Sequence, residues 1–305
     1  MGQARASSGW GAVMGVVRPW QWVKNAFVLA PLLFSGEYRD LSSVGEALLA
    51  FAAFCGLASG LYALNDVADR KADREHPTKR NRPVASGAVS VGRALAVGLA
   101  MAAVGLVLSG LSGRVVLVMG VLYLVLGVMY SLGLKHVVIV DVMVLAGGFV
   151  LRILAGAAAI EVPASHWLVL CTIMVALFLG FTKRRAEMAS EEGTGEHTRP
   201  VLAAYSVGYL DQVIAMVTGA TIVSYALYTV DEHTVALVGS RAMLLTVPFV
   251  IYGLLRYVYL IYHLAWPGDP TRALLRDAWM LADVAAWAAV SAWVVGYGKG
   301  FALLT

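Results

Sequence analysis

Charge is scarce in this chain, and so is cysteine. Asp, Glu, Lys and Arg make up 14% of its 305 residues, against 60% hydrophobic residues, and mean hydropathy is +0.76. A soluble domain carries roughly 25% charged residues, so a water-soluble fold is excluded. The two cysteines, Cys55 and Cys171, lie inside apolar runs without a Cys-x-x-Cys partner and read as small buried side chains rather than as ligands or a disulfide. The six histidines form no His-x-x-x-His or Glu-x-x-His pair, which argues against a zinc or di-iron centre. Met1 to Gly11 holds no compact apolar run ahead of a cleavage site, so no cleaved leader is expected. No fixed-period repeat, low-complexity tail or soluble second unit interrupts the chain; residues 1–305 read as a single integral-membrane domain.

What is present is a series of apolar stretches long enough to cross a bilayer. About nine are expected, near 20–36, 43–64, 91–110, 114–132, 137–158, 164–182, 211–230, 241–263 and 277–297, which makes the fold class an all-α polytopic membrane protein. The first is the weakest, because it is short and carries Lys24 and Pro31. Alternate loops differ sharply in basic residues. One set holds Arg5, Arg18, Arg70, Lys71, Arg74, Lys79, Arg80, Arg82, Arg93, Lys135, Lys183, Arg184, Arg185, Arg199, Arg272 and Arg276; the other holds little beyond Arg39, Arg114, Arg241 and Lys299. Positive residues stay inside, so the long charged loops are expected in the cytoplasm and the chain in the cell membrane. The net charge of +4 then reflects topology and anionic headgroups. No aromatic and basic surface for nucleic acid is visible.

The most informative segment follows the second apolar run: Asn65-Asp66-Val67-Ala68-Asp69-Arg70-Lys71-Ala72-Asp73, then Arg74-Glu75-His76-Pro77-Thr78-Lys79-Arg80-Asn81-Arg82-Pro83. Asp66, Asp69 and Asp73 are spaced to share one helix face. Packed together without counter-charge they would repel, so a cation bridges them or their pKa values rise. Oxygen-only ligands suit Mg²⁺, which completes its shell from water and a phosphorylated substrate, and the neighbouring Arg and Lys residues suit the phosphates.

Other charges gather at the same membrane face: Lys135 and His136 after the fourth stretch, Lys183, Arg184, Arg185 and Glu187 after the sixth, and Arg256, Tyr257, Arg276 and Asp277 around the last loop. Lys183-Arg184-Arg185 suits either a phosphate or a topology anchor. Asp141 and Arg152, eleven residues apart on one predicted helix face, either neutralise charges on neighbouring helices or line a substrate cavity. Trp20 and Trp22 read as interfacial aromatic residues. Gly147, Gly148 and Gly156 read as sites of close helix packing, and spans rich in small residues could support lateral homo-association.

The pattern Asn65-Asp66-x-x-Asp69-x-x-x-Asp73, continued by His76-Pro77-x-Lys79-x-x-Arg82-Pro83-x-Ala85-x-Gly87, resembles the first signature of the UbiA superfamily of intramembrane prenyltransferases. That resemblance implies about nine helices around a central cavity open to the cytoplasm, with Mg²⁺ as cofactor. Most members join a polyprenyl diphosphate to an aromatic acceptor and carry a second aspartate-rich motif after the sixth helix. Here that loop reads Lys183-Arg184-Arg185-Ala186-Glu187, cations in place of carboxylates. With Arg18-Pro19-x-Gln21-Trp22-Val23-Lys24-Asn25 and Gly133-Leu134-Lys135-His136, it is similar to the branch that transfers phosphoribosyl from phosphoribosyl diphosphate to decaprenyl phosphate. That branch supplies lipid-linked ribose for cell-wall arabinan. The resemblance implies Asp66 and Asp69 as principal metal ligands, with Asp73 and Asn65 supporting. It implies Lys79, Arg80 and Arg82 for the diphosphate or lipid phosphate, Lys183 and Arg184 for the C5 phosphate, and Lys24, Tyr62 and Lys135 around the pocket. An aromatic prenyltransferase is the alternative, and a lipid-phosphate transporter a third reading.

Overall fold

A computed structural model describes residues 10–75, 79–191, 200–263 and 276–297. Arg5, His76, Pro77, Thr78, Arg199, Arg272 and Lys299, singled out above, lie outside the described residues. Twelve α-helices are numbered here in chain order: α1 (Trp10–Val17), α2 (Ala30–Ser35), α3 (Leu41–Ala68), α4 (Arg70–Glu75), α5 (Val91–Ser112), α6 (Arg114–Leu132), α7 (Val140–Ala159), α8 (His166–Glu191), α9 (Val207–Val230), α10 (Glu232–Val238), α11 (Val247–His263) and α12 (Ala278–Tyr297). Helix starts follow local chemistry. Asp40, Ser90 and Ser206 cap α3, α5 and α9 by accepting the backbone N–H groups of Ser43, Arg93 and Tyr209, donors that the first helical turn would otherwise leave unpaired.

Eight helical segments among the described residues are long and apolar enough to span a membrane, and they fall on the second to ninth expected stretches. The first stretch differs. It is a 3₁₀-helix, Pro19–Leu29, running into the short α2. At ~2.0 Å per 3₁₀ residue and ~1.5 Å per α residue this segment reaches roughly 30 Å, the thickness of the hydrocarbon core. Its irregular backbone is tolerated because it is covered by protein: it packs on α3 and α7, and Asn25 and Val28 are fully buried.

α3 is the most enclosed of the eight, with α5, α6, α7 and the 3₁₀ segment around it. The remaining helices continue in sequence to α12, which closes on the N-terminal part: Tyr38 donates its hydroxyl to the Ala292 carbonyl at 2.8 Å, and Arg39 donates to Gly296 at 3.0 Å. Close approach depends on glycine at several places, Gly156 and Gly105 among them. At Gly156 an added Cβ would lie 1.9 Å from the Val28 carbonyl oxygen, as its sequence reading anticipates, whereas Gly147 and Gly148 meet only ordinary contacts. At Gly105, which the sequence reading passes over, a Cβ would lie 2.7 Å from the Leu57 nitrogen and so hold α5 off α3. Cys55 is buried and Cys171 half-buried, both as free thiols.

Candidate functional site

The acidic segment begins on the last turn of α3 and continues through α4. Asp66 is 1% exposed and Asp73 is 4% exposed, whereas the Asp69 side chain is more open. Each carboxylate meets a cation from a different part of the chain. Asp66 pairs with Arg18 through one oxygen, Oδ1, which also lies 3.4 Å from Arg82 Nη1. Arg82 donates to Asp73 Oδ2 at 2.7 Å, and Lys135 donates to Asp69 Oδ1 at 2.5 Å. Arg18 reaches Asp66 from a left-handed backbone, φ 55° and ψ 58°, a conformation that costs ~1–2 kcal/mol for a residue with a Cβ. Its sequence position beside Pro19 marks a junction, but no motif flagged it as an Asp66 partner.

The other oxygen of Asp66, Oδ2, is buried with no hydrogen-bond partner among the described residues. A buried, unspent carboxylate oxygen is expensive, and a hard divalent cation is the partner its chemistry fits. No group of three or more His, Cys, Asp or Glu side chains converges on one point among the described residues. Counter-charge for Asp73 and Asp69 comes from Arg82 and Lys135, which hold them in ion pairs.

Beside this cluster opens a cavity of about 270 Å³ between the 3₁₀ segment and helices α3, α6, α7 and α8. Its walls are mainly apolar, including Phe27, Leu61, Leu126, Leu145 and Leu179. Lys24, Tyr62, Asn65 and Lys183, four of the residues expected to bind substrate, line it together. Arg152, left open between two readings above, lines it as well. Lys79 and Arg80 lie on a 3₁₀ turn, Lys79–Asn81, and Arg80 is exposed; they, Arg82 and Lys135 stand outside the cavity wall.

Arg184 does not face the cavity. It is 1% exposed, and its guanidinium donates to Asp141 Oδ2 at 2.6 Å, Glu187 Oε2 at 2.7 Å and Tyr130 at 3.3 Å. The sequence reading expects Arg184 to take a phosphate; the geometry instead turns three of its five N–H groups to Asp141, Glu187 and Tyr130, away from the cavity wall. Asp141 also accepts from the Tyr205 hydroxyl at 2.9 Å, and that hydroxyl accepts from the Ile139 N–H at 2.7 Å. Burial pushes the Tyr205 phenol up, and the neighbouring Asp141 carboxylate adds to the shift. Ile139 is a second non-glycine residue at positive φ, 69°. Thus Asp141 neutralises a neighbouring helix, which settles one of the two readings given for it. At the last loop, Arg256 donates to Asp277 at 2.8 Å and ties α11 to α12. Hydrogen bonding from Arg256 holds the Asp277 carboxyl below the usual range.

Fold and site define a polytopic membrane protein built around an internal cavity with an acidic and basic mouth. The sequence profile of the UbiA prenyltransferase family matches residues 26–281, and the chain belongs to that family. A decaprenyl-phosphate phosphoribosyltransferase of Corynebacterium glutamicum is 37% identical over 248 residues, 79% of this chain and 74% of that one. The decaprenyl-phosphate phosphoribosyltransferase of Mycobacterium tuberculosis is 34% identical over 291 residues, 94% of this chain and 95% of that one. Among solved structures, a UbiA homologue from Archaeoglobus fulgidus bound to GPP and Mg²⁺ matches with a TM-score of 0.69 and 18% identity, covering 93% of this chain and 99% of that one. That match supports the fold.

Proposed function

We propose that this chain transfers 5-phosphoribosyl from phosphoribosyl diphosphate to a polyprenyl phosphate of the decaprenyl type, releasing pyrophosphate. The observation that carries the reading is Lys183. It stands where most of the superfamily is expected to place a carboxylate, and it faces the same cavity as Asn65 and Lys24. A second metal is poorly served by that substitution, and a phosphate monoester is well served. The names of the curated relatives, at 34–37% identity over most of the chain, agree with it.

Asp66 and Asp69 are the residues that would hold Mg²⁺, with Asn65 and Asp73 supporting; the unspent Oδ2 of Asp66 is the donor already waiting. Bound there, the ion would neutralise charge on a departing diphosphate. Arg18, Arg82 and Lys135 hold the carboxylates in the absence of substrate and turn toward phosphate oxygens when the donor enters. A phosphate oxygen of the lipid attacks C1 of the ribose; the bond from C1 to the diphosphate oxygen breaks, and its electron pair leaves with pyrophosphate. The nucleophile is already ionised, so no strong general base is required. The basic residues around this mouth support an active site facing the cytoplasm from the cell membrane, with residues 1–305 as one membrane-embedded unit.

The test supplies purified protein with Mg²⁺, ribose-labelled phosphoribosyl diphosphate and a polyprenyl phosphate. The expected result is label in the lipid extract. Label that stays aqueous, while a prenyl diphosphate and a ring acceptor are consumed in a parallel tube, would replace this reading with aromatic prenyl transfer.

A further inference from the structure

Among the described residues, Arg152 is a cation without a counter-ion. It lies on α7 twelve residues beyond Val140, about 18 Å along the helix at ~1.5 Å per residue. Its exposure is 5%, and it makes no ion pair among the described residues. What holds it is neutral: Nε donates to Asn25 Oδ1 at 2.8 Å, Nη1 to the Gly148 carbonyl at 2.9 Å, and Nη2 to the Tyr123 hydroxyl at 2.7 Å. The Tyr123 and Phe149 rings lie 4.6 and 5.2 Å from its guanidinium carbon. A guanidinium carries five N–H groups, so two remain after these bonds.

The contrast with Arg184 is informative. That buried arginine is matched by Asp141 and Glu187, as the cost of a buried charge demands. Arg152 is left unmatched at a comparable burial. It also lines the cavity, where Lys24 and Lys183 are the other charged residues and no Asp or Glu contributes to the wall. A wall that carries basic but no acidic side chains suits a ligand that brings negative charge. Along α7 the wall runs from Val144 to Arg152, about 12 Å, with Arg152 at its deep end and the aspartates beyond its mouth.

We propose that Arg152 anchors a phosphate monoester at the deep end of this cavity and is a substrate-binding residue. The inference rests on the reading given under the proposed function, where two monoesters occur: the C5 phosphate of the sugar donor and the phosphate of the lipid. Arg152 supplies a directed pair of donors to whichever enters, independently of the metal site.

The experiment measures binding in EDTA by calorimetry, using ribose 5-phosphate in one arm and geranyl phosphate in the other. Full-length protein is compared with Arg152→Gln, Arg152→Lys and Arg114→Gln. Wild type should bind at least one probe without metal. Arg152→Gln should weaken that binding roughly tenfold or more, the scale of a lost charge-assisted hydrogen bond. Arg152→Lys should lose less, and Arg114→Gln, which removes an exposed cation from the opposite set of loops, should bind as wild type does. Loss confined to ribose 5-phosphate identifies the sugar end as the ligand, and loss confined to geranyl phosphate identifies the lipid end. Wild-type affinity for both probes in Arg152→Gln overturns the proposal, as does the absence of metal-free binding to either probe in wild type. Should Arg152→Gln fail to fold, unchanged affinity in Arg152→Lys overturns it instead. Because no turnover is read, a failure of phosphoribosyl transfer leaves this result standing on its own.

Discussion

Lys183 and Arg184 are neighbours in sequence with opposite surroundings. A step of one residue along a helix turns the side chain by about 100°, which carries Lys183 to the cavity and Arg184 into the contact between α8, α6 and α7. Arg184→Ala should therefore act on stability: Asp141 would be left as a buried charge without its cation, costing about 3–5 kcal/mol. A denaturation series should show that loss, while Lys183→Ala shows little. Lys183→Ala should instead raise the KM for the sugar donor, and unchanged kinetics would return Lys183 to the role of a topology anchor. Asp66→Asn should abolish metal-dependent turnover while removing one member of the ion-pair set. The sequence displayed these residue types plainly. It did not display the helical phase that assigns one cation to a cavity and the next to an acid, nor the backbone turn that brings Arg18 to Asp66 across 48 residues.

At the scale of elements, eight spans were legible because long apolar runs with few charges have one stable use in a bilayer. The stretch at 20–36 was the exception for a physical reason. Lys24, Asn25 and Pro31 deprive it of a uniform apolar helix, and burial of Asn25 against Arg152 and Cys55 satisfies what a lipid-facing helix would leave exposed. Gly156 fixes how closely this segment lies on α7. Gly156→Val should cost ~1–3 kcal/mol or more through overpacking, read as a lower unfolding midpoint in detergent, because the Cβ would meet a backbone carbonyl at 1.9 Å rather than a movable side-chain end. A midpoint equal to wild type would mean that the segment shifts freely. Gly105→Leu should act likewise between α3 and α5, a contact that no spacing in the sequence marked clearly.

For the whole molecule, the aspartate segment and most basic residues gather at one end of the bundle, and at the opposite end Tyr38 and Arg39 bond to α12. The membrane-spanning fold and the family could be read from the apolar runs and from the resemblance carried by the aspartate segment. The pairing pattern at the mouth could not, because it depends on three separate elements meeting. Two whole-enzyme outcomes follow. EDTA should stop transfer, and Ca²⁺ should restore it poorly compared with Mg²⁺, since the larger ion accepts looser oxygen geometry. The central claim is that the Asp66 carboxylate and its neighbours receive Mg²⁺ together with a diphosphate. Calorimetry of Mg²⁺ added to the protein, with and without saturating phosphoribosyl diphosphate, tests it most directly after subtraction of binding to free donor. A protein-dependent heat that requires the donor and disappears in Asp66→Asn is the predicted result. An equal heat in Asp66→Asn, or none with the donor saturating, would contradict the account.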